Sequence, residues 1–219
     1  MPLDFLKQIS AKEICAGLGI ALLFLTASFL SERFAAVLRA YIGAGGLLSM
    51  AAYIGTVVVV VLVPFATSLP LIPVAVSVWG GPIAALLTLF AWVIGSSTAF
   101  MVARRFGSKF VSRFISLQTL RQVSAMVPKR NLAVGTIFFS MFGAPADLLS
   151  YALGLFTHIR AKTAIVSFSL GFSVFAFFIT YTATLPIVYQ TYMVGFMLLA
   201  WFFIYARLKY NAAQEREPR

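Results

Sequence analysis

The chain has 219 residues, of which 61% are apolar and only 11% charged, with a net charge of +11 and a mean hydropathy of +0.97. A soluble domain of that balance would lack the polar surface to cover itself, and the long unbroken apolar runs exclude the alternating pattern of a membrane β-barrel. The fold class is therefore an all-α polytopic membrane protein. Its basic excess sits in short loops between apolar runs, which fits the positive-inside bias of membrane topology rather than nucleic-acid binding.

In chain order, MPLDFLKQISAKE leads into the apolar run Ile14–Leu30, which reads as a retained first helix rather than a cleaved signal. Its Cys15 is the single cysteine, so neither an internal disulfide nor a cysteine metal site is expected. Further apolar runs follow at Gly45–Val63, Gly81–Ala103, Leu132–Phe156, Thr163–Leu185 and Ile187–Ala206. A helix needs roughly 20 apolar residues to span the hydrocarbon, so most of these qualify. About five transmembrane helices are expected.

Two places depart from plain spans. Residues 64–82 hold Pro64, Pro70, Pro73, Pro82, Gly80 and Gly81, and residues 142–158 hold Gly143, Pro145 and Gly154. Irregular backbone at membrane depth is tolerated only where protein or water satisfies it, so each place is a candidate re-entrant hairpin. For 64–82 an ordinary loop between spans fits the breaker content equally well.

Loop charges favour a hairpin in the second case. Residues 103–130 hold seven Lys/Arg and no acid, and His158, Arg160 and Lys162 form the next basic cluster. Both belong on the cytoplasmic side, which a simple crossing by Leu132–Phe156 would forbid. The expected layout is then a helix and interfacial segment at 1–44, a membrane domain at 45–185 and a last helix with a basic cytoplasmic tail at 186–219. Within the domain, hairpin 1 occupies 64–80, a basic amphipathic loop 104–130 and hairpin 2 131–157. Two opposed hairpins, each followed by a span with a central glycine (Gly95, Gly171), have the form of an inverted repeat.

In the basic loop Phe106, Phe110 and Phe114 recur every four residues beside Arg105, Lys109 and Arg113. Such a helix lies in the headgroup layer, either as a topology anchor or as a lure for anionic lipids. The strip Ala91, Gly95, Ala99 and Ala103 invites close helix packing inside the protein.

Asp147 is the lone acid between Glu32 and Glu215. A carboxylate at bilayer depth costs roughly 2.5 kcal/mol or more, so it faces a polar cavity, faces a cation or is protonated. Ser150 and Tyr151 follow on the same helical face as hydrogen-bond donors. Two readings stay open: substrate binding or proton coupling, and satisfaction of free N–H groups at a helix start. One intramembrane acid and one histidine cannot build a metal site, and no Ser/His/acid set or phosphate-cradling loop is present, so neither an enzyme nor a cofactor is expected.

The segment PADLLSYALGLFTHIRAK, Pro145 to Lys162, resembles the hallmark of the DedA/VTT-domain family, also called SNARE-associated Golgi proteins. The stretch from Trp79 to Gly107 resembles that family's first half, and together the likeness covers about residues 45–185. It implies two opposed re-entrant hairpins and movement of polyprenyl phosphate or phospholipid between leaflets. By that resemblance Asp147 matches an acidic or amide position of the second hairpin, and Arg105 and Gly107 match the end of the first-half span. Phe139 stands about where many members carry an arginine, and residues 64–82 lack the first-hairpin acids of the bacterial branch.

The leading expectation is a lipid transporter or scramblase of a bacterial inner (plasma) membrane, with membrane lipids of anionic headgroup as partners. A headgroup passes between the hairpin tips while acyl tails stay in the bilayer. Asp147, Ser150 and Tyr151 supply polar contacts, Arg105, Lys129 and Arg130 attract headgroups, and the prolines and glycines named above shape the hairpins. A small-ion or small-solute transporter on the same scaffold, and a non-transporting membrane organiser, are the alternatives.

Overall fold

In the computed structural model, residues 11–42, 46–64, 66–128, 131–143 and 145–214 are described, and they form ten helices. These are α1 (Ala11–Arg33), α2 (Ala35–Tyr41), α3 (Gly46–Leu62), α4 (Leu71–Trp79), α5 (Gly81–Val111), α6 (Leu117–Met126), α7 (Leu132–Met141), α8 (Ala146–Phe156), α9 (Ala161–Thr184) and α10 (Ile187–Gln214). No strand occurs among the described residues. Ile14–Arg33, Gly81–Val111 and Ala161–Thr184 are long and apolar enough to cross a membrane, and the bent pair α2–α3 makes a fourth candidate. Five spans were expected. Ile187–Ala200, the first part of the 28-residue α10, is a further apolar stretch.

Prolines explain where the helices begin. Pro70 and Pro145 stand at the N-caps of α4 and α8, Pro82 lies in the first turn of α5, and Pro186 immediately precedes α10. The first N–H groups of a helix have no partner within it, so a proline there forfeits nothing. Pro73 sits in the first turn of α4 for the same reason, buried in the core. Residues 64–80 are therefore not irregular throughout, since nine of them are helix. The basic segment 104–130 is likewise no free loop. α5 runs on to Val111 with a break at Gly107 (φ 70°, ψ −172°), and α6 packs on α8 and α10.

Packing follows a repeated scheme: two short helices, then one long one. The first short helix of each half packs on its own long helix, α3 on α5 and α7 on α9, while the second packs on the other half's, α8 on α5 and α4 on α9. The long helices α5 and α9 pack on each other. Among the described residues α3 and α4 barely touch, nor do α7 and α8 pack together. α1 packs on α4 and α10 to close one side.

Glycines set the crossings. A Cβ on Gly95 would stand 2.8 Å from Val61 Cβ, and one on Gly171 would stand 2.5 Å from Ser140 Cβ and 2.6 Å from the Ile137 carbonyl. These two residues hold equivalent places, α5 on α3 and α9 on α7. The strip Ala91, Gly95, Ala99 and Ala103 is buried inside the molecule.

Helix ends at membrane depth need partners for their last carbonyls, and side chains supply them. Tyr151 donates to the Leu62 carbonyl at the end of α3 (2.9 Å), and Arg39 Nε to that of Ser77 in the last turn of α4 (2.8 Å). Arg104 donates to the carbonyls of Ile159 (2.6 Å) and Thr157 (2.8 Å) just past α8. Gln190 reaches the Leu185 carbonyl after α9 (2.7 Å). The two arginines also tie separate elements together. Arg39 joins the end of α2 to the end of α4. Arg104 joins α5 to the segment after α8, so the two basic clusters lie together. From Gly81 to Arg104, α5 is about 35 Å long at 1.5 Å per residue, enough to cross a bilayer core.

Gly171→Ala is expected to lower stability by about 1–3 kcal/mol through overpacking against α7 backbone. Gly55→Ala, at a helical position with nothing within 4 Å of the new Cβ, should leave stability unchanged or raise it. Thermal unfolding of the two variants in one detergent checks the difference.

Candidate functional site

The two breaks face one cavity of about 510 Å³. Residues 66–69, between α3 and α4, form one wall, and Phe142, Gly143 and residues 145–149 form another. Met126 on α6, Trp92 on α5 and Gly17 on α1 contribute further sides. The lining is largely aliphatic and aromatic, with few polar atoms. Volume and lining match a site for an apolar or amphiphilic ligand more than a hydrated ion.

One chain of contacts holds the breaks apart and in register. Trp92 Nε1 donates to Ser68 Oγ at 2.9 Å, which anchors the first break to α5. The indole stacks on Phe175 of α9, with centroids 5.5 Å apart and planes inclined by 19°. Phe175 in turn lies against Gly143 in the second break. A Cβ there would fall 2.6 Å from its ring, and the backbone φ of 72° is one that L side chains rarely adopt. Ser68, Trp92 and Phe175 are all buried. Glycine at 143 is thus required twice, by conformation and by the aromatic ring.

Asp147 is 5% exposed and lines the cavity from the first turn of α8, where its charge also complements the helix dipole. Ser150 and Tyr151 are turned elsewhere. Ser150 Oγ donates back to the Ala146 carbonyl (2.5 Å), and the Tyr151 hydroxyl goes to Leu62, so neither lines the cavity. Phe139 does line it, as one of an aromatic group with Phe138 and Phe142.

The other predicted residues divide by role. Pro70 and Pro145 start α4 and α8 at the edges of the breaks. Gly80 takes a φ of 80° in the turn from α4 to α5, and a Cβ on Gly81 would meet Thr184 at 3.1 Å. Gly154 lets α8 approach α5, since a Cβ there would stand 2.6 Å from the Phe100 carbonyl. Arg105 is exposed and lines no cavity described here, and Lys129 and Arg130 lie outside the described residues. Three residues escaped the sequence reading: Trp92, Ser68 and Arg104. For Arg104 a signal existed, because it follows Phe100 by one helical turn, and its guanidinium lies 4.4 Å from that ring. Nothing in sequence pairs Ser68 with Trp92. Among the described residues no group of three or more His, Cys, Asp or Glu side chains is placed to hold a metal ion.

A family model described as the VTT domain matches residues 63–185, from the end of α3 to the end of α9. No curated protein and no solved structure matches the chain.

Tyr151→Phe should cost about 1 kcal/mol of stability, the worth of one hydrogen bond whose acceptor is left buried. A urea or thermal unfolding series in detergent reads this directly.

Proposed function

The chain belongs to the VTT-domain family, and from that premise we propose that it moves a membrane lipid between leaflets through the cavity between its two broken helix pairs. The lipid is a phospholipid or a polyprenyl phosphate. The observation that carries this is the union of both breaks in one largely apolar cavity with Asp147 in its wall. An amphiphile needs such a combination: hydrocarbon surface for its chain and a short polar step for its headgroup. At the breaks the backbone leaves regular helix, so polar groups are available there that an intact span would hide.

In this reading the α3–α4 and α7–α8 pairs are re-entrant hairpins from opposite faces. The clamps Arg39–Ser77 and Arg104–Thr157/Ile159 support it, because each ties the end of its pair to an element that precedes that pair in the chain. The basic clusters and the C-terminal end of the chain face the cytoplasm, as positive-inside bias requires. Asp147 meets the headgroup, and the aromatic residues from Phe138 to Phe142 meet the chain. The largely apolar lining favours an amphiphile over a small ion or small polar solute, either of which a polar path suits better.

Purified protein in liposomes is expected to move a fluorescent phospholipid or polyprenyl phosphate faster than empty liposomes do. Ala66→Trp places an indole in the cavity wall, at an exposed residue of the first break. It should slow movement about tenfold or more, equivalent to roughly 1.4 kcal/mol on the barrier. Equal rates for wild type and empty liposomes with both lipids would refute lipid movement. Wild-type rates in Ala66→Trp would remove the path from this cavity.

A further inference from the structure

A second cavity, of about 250 Å³, lies away from the first, where the end of α5 meets α6 and α8. Arg104, Gly107 and Ser108 line it from α5, Arg121 from α6, and Phe156 from the end of α8. Arg104, Arg121 and Ser108 thus border one small space, and no acid is among its lining residues. Like charges confined together repel, and an anion between them relieves that repulsion.

Arg104 is held in place before any ligand arrives, and Arg121 is exposed beside it with one aromatic neighbour. Arg104 is fixed by the Thr157 and Ile159 carbonyls and by the Phe100 ring, which use only part of its five-donor fork. Arg121 lies over the ring of Phe156, 5.7 Å from its centroid. The break at Gly107, whose φ of 70° favours glycine, turns the chain so that Ser108 also borders the cavity. Immediately outside run Phe106, Phe110 and Phe114, a ladder of exposed rings 5.2 and 5.5 Å apart. Such a ladder sits at the depth of lipid headgroups.

We propose that this cavity binds one phosphate group, that of an anionic lipid headgroup in the leaflet beside α5, between Arg104 and Arg121. Guanidinium forks suit the geometry of phosphate oxygens. The site is separate from the cavity at Asp147 and holds whether or not the protein moves lipid. It would anchor the base of the α7–α8 pair, because the Arg104 that meets the phosphate also clamps the end of that pair.

Native mass spectrometry of the full chain in detergent, titrated with phosphatidic acid, tests it. One phosphatidic acid is expected to bind saturably, with phosphatidylcholine far weaker. Arg121→Gln should weaken binding about tenfold, the scale of one charge-assisted hydrogen bond. Arg113→Gln, which removes an equal charge outside the cavity, should change it less than about twofold. Arg121 is the residue to vary because Arg104 also holds the fold together. Excess inorganic phosphate separates the sources of the group: displacement means that the free ion is a ligand, and retention means that only the lipid-borne phosphate is. Equal weakening by Arg121→Gln and Arg113→Gln, or equal affinity for phosphatidylcholine, would overturn the site.

Discussion

Everything at the centre of this protein depends on Trp92. Its N–H secures the first break through Ser68, and its ring carries Phe175, which presses on Gly143 in the second. One side chain on α5 and one on α9 therefore set the separation of two irregular segments that do not support themselves. The requirement is physical. Broken backbone inside a membrane must be satisfied and supported by protein, because lipid offers it no hydrogen bonds.

The remaining structure answers that same demand at the outer ends of the broken pairs. Arg39 and Arg104 close the last carbonyls of α4 and the segment after α8, and Tyr151 closes those of α3. With ends and tips fixed, the arms are free to open around space instead of packing on each other. A cavity results without any missing core, because the arms pack outward, α7 on α9 and α8 on α5. Gly95 and Gly171 permit the close approach of each arm to its long helix. The architecture separates rigid support from a largely apolar chamber.

Much of this was legible in sequence because breakers and charge act locally. Proline disrupts a continuing helix, so Pro70, Pro82 and Pro145 marked where the apolar runs are interrupted. The acid-free stretch 103–130 and the cluster at 158–162 demanded a common face, and Arg104 joins them. Gly95 and Gly171 paired correctly because close packing of long helices selects small residues wherever it occurs. Less legible was anything decided by direction. Asp147, Ser150 and Tyr151 share a helical neighbourhood, yet only Asp147 lines the cavity, since the hydroxyls of the other two are claimed by backbone carbonyls. Arg104 and Arg105 are indistinguishable by composition, and a helix turns 100° between them. The Ser68–Trp92 contact spans 24 positions with no periodicity to announce it.

The account stands on the α7–α8 pair returning to the face it left. Single cysteines at His158, Ser112 and Ser77, in a Cys15→Ser background, can be labelled with a membrane-impermeant thiol reagent in sealed vesicles of known orientation. His158→Cys and Ser112→Cys are expected to label from one face, and Ser77→Cys from the other. Labelling of His158→Cys from the same face as Ser77→Cys would make Leu132–Phe156 a simple crossing and contradict the paired-hairpin account.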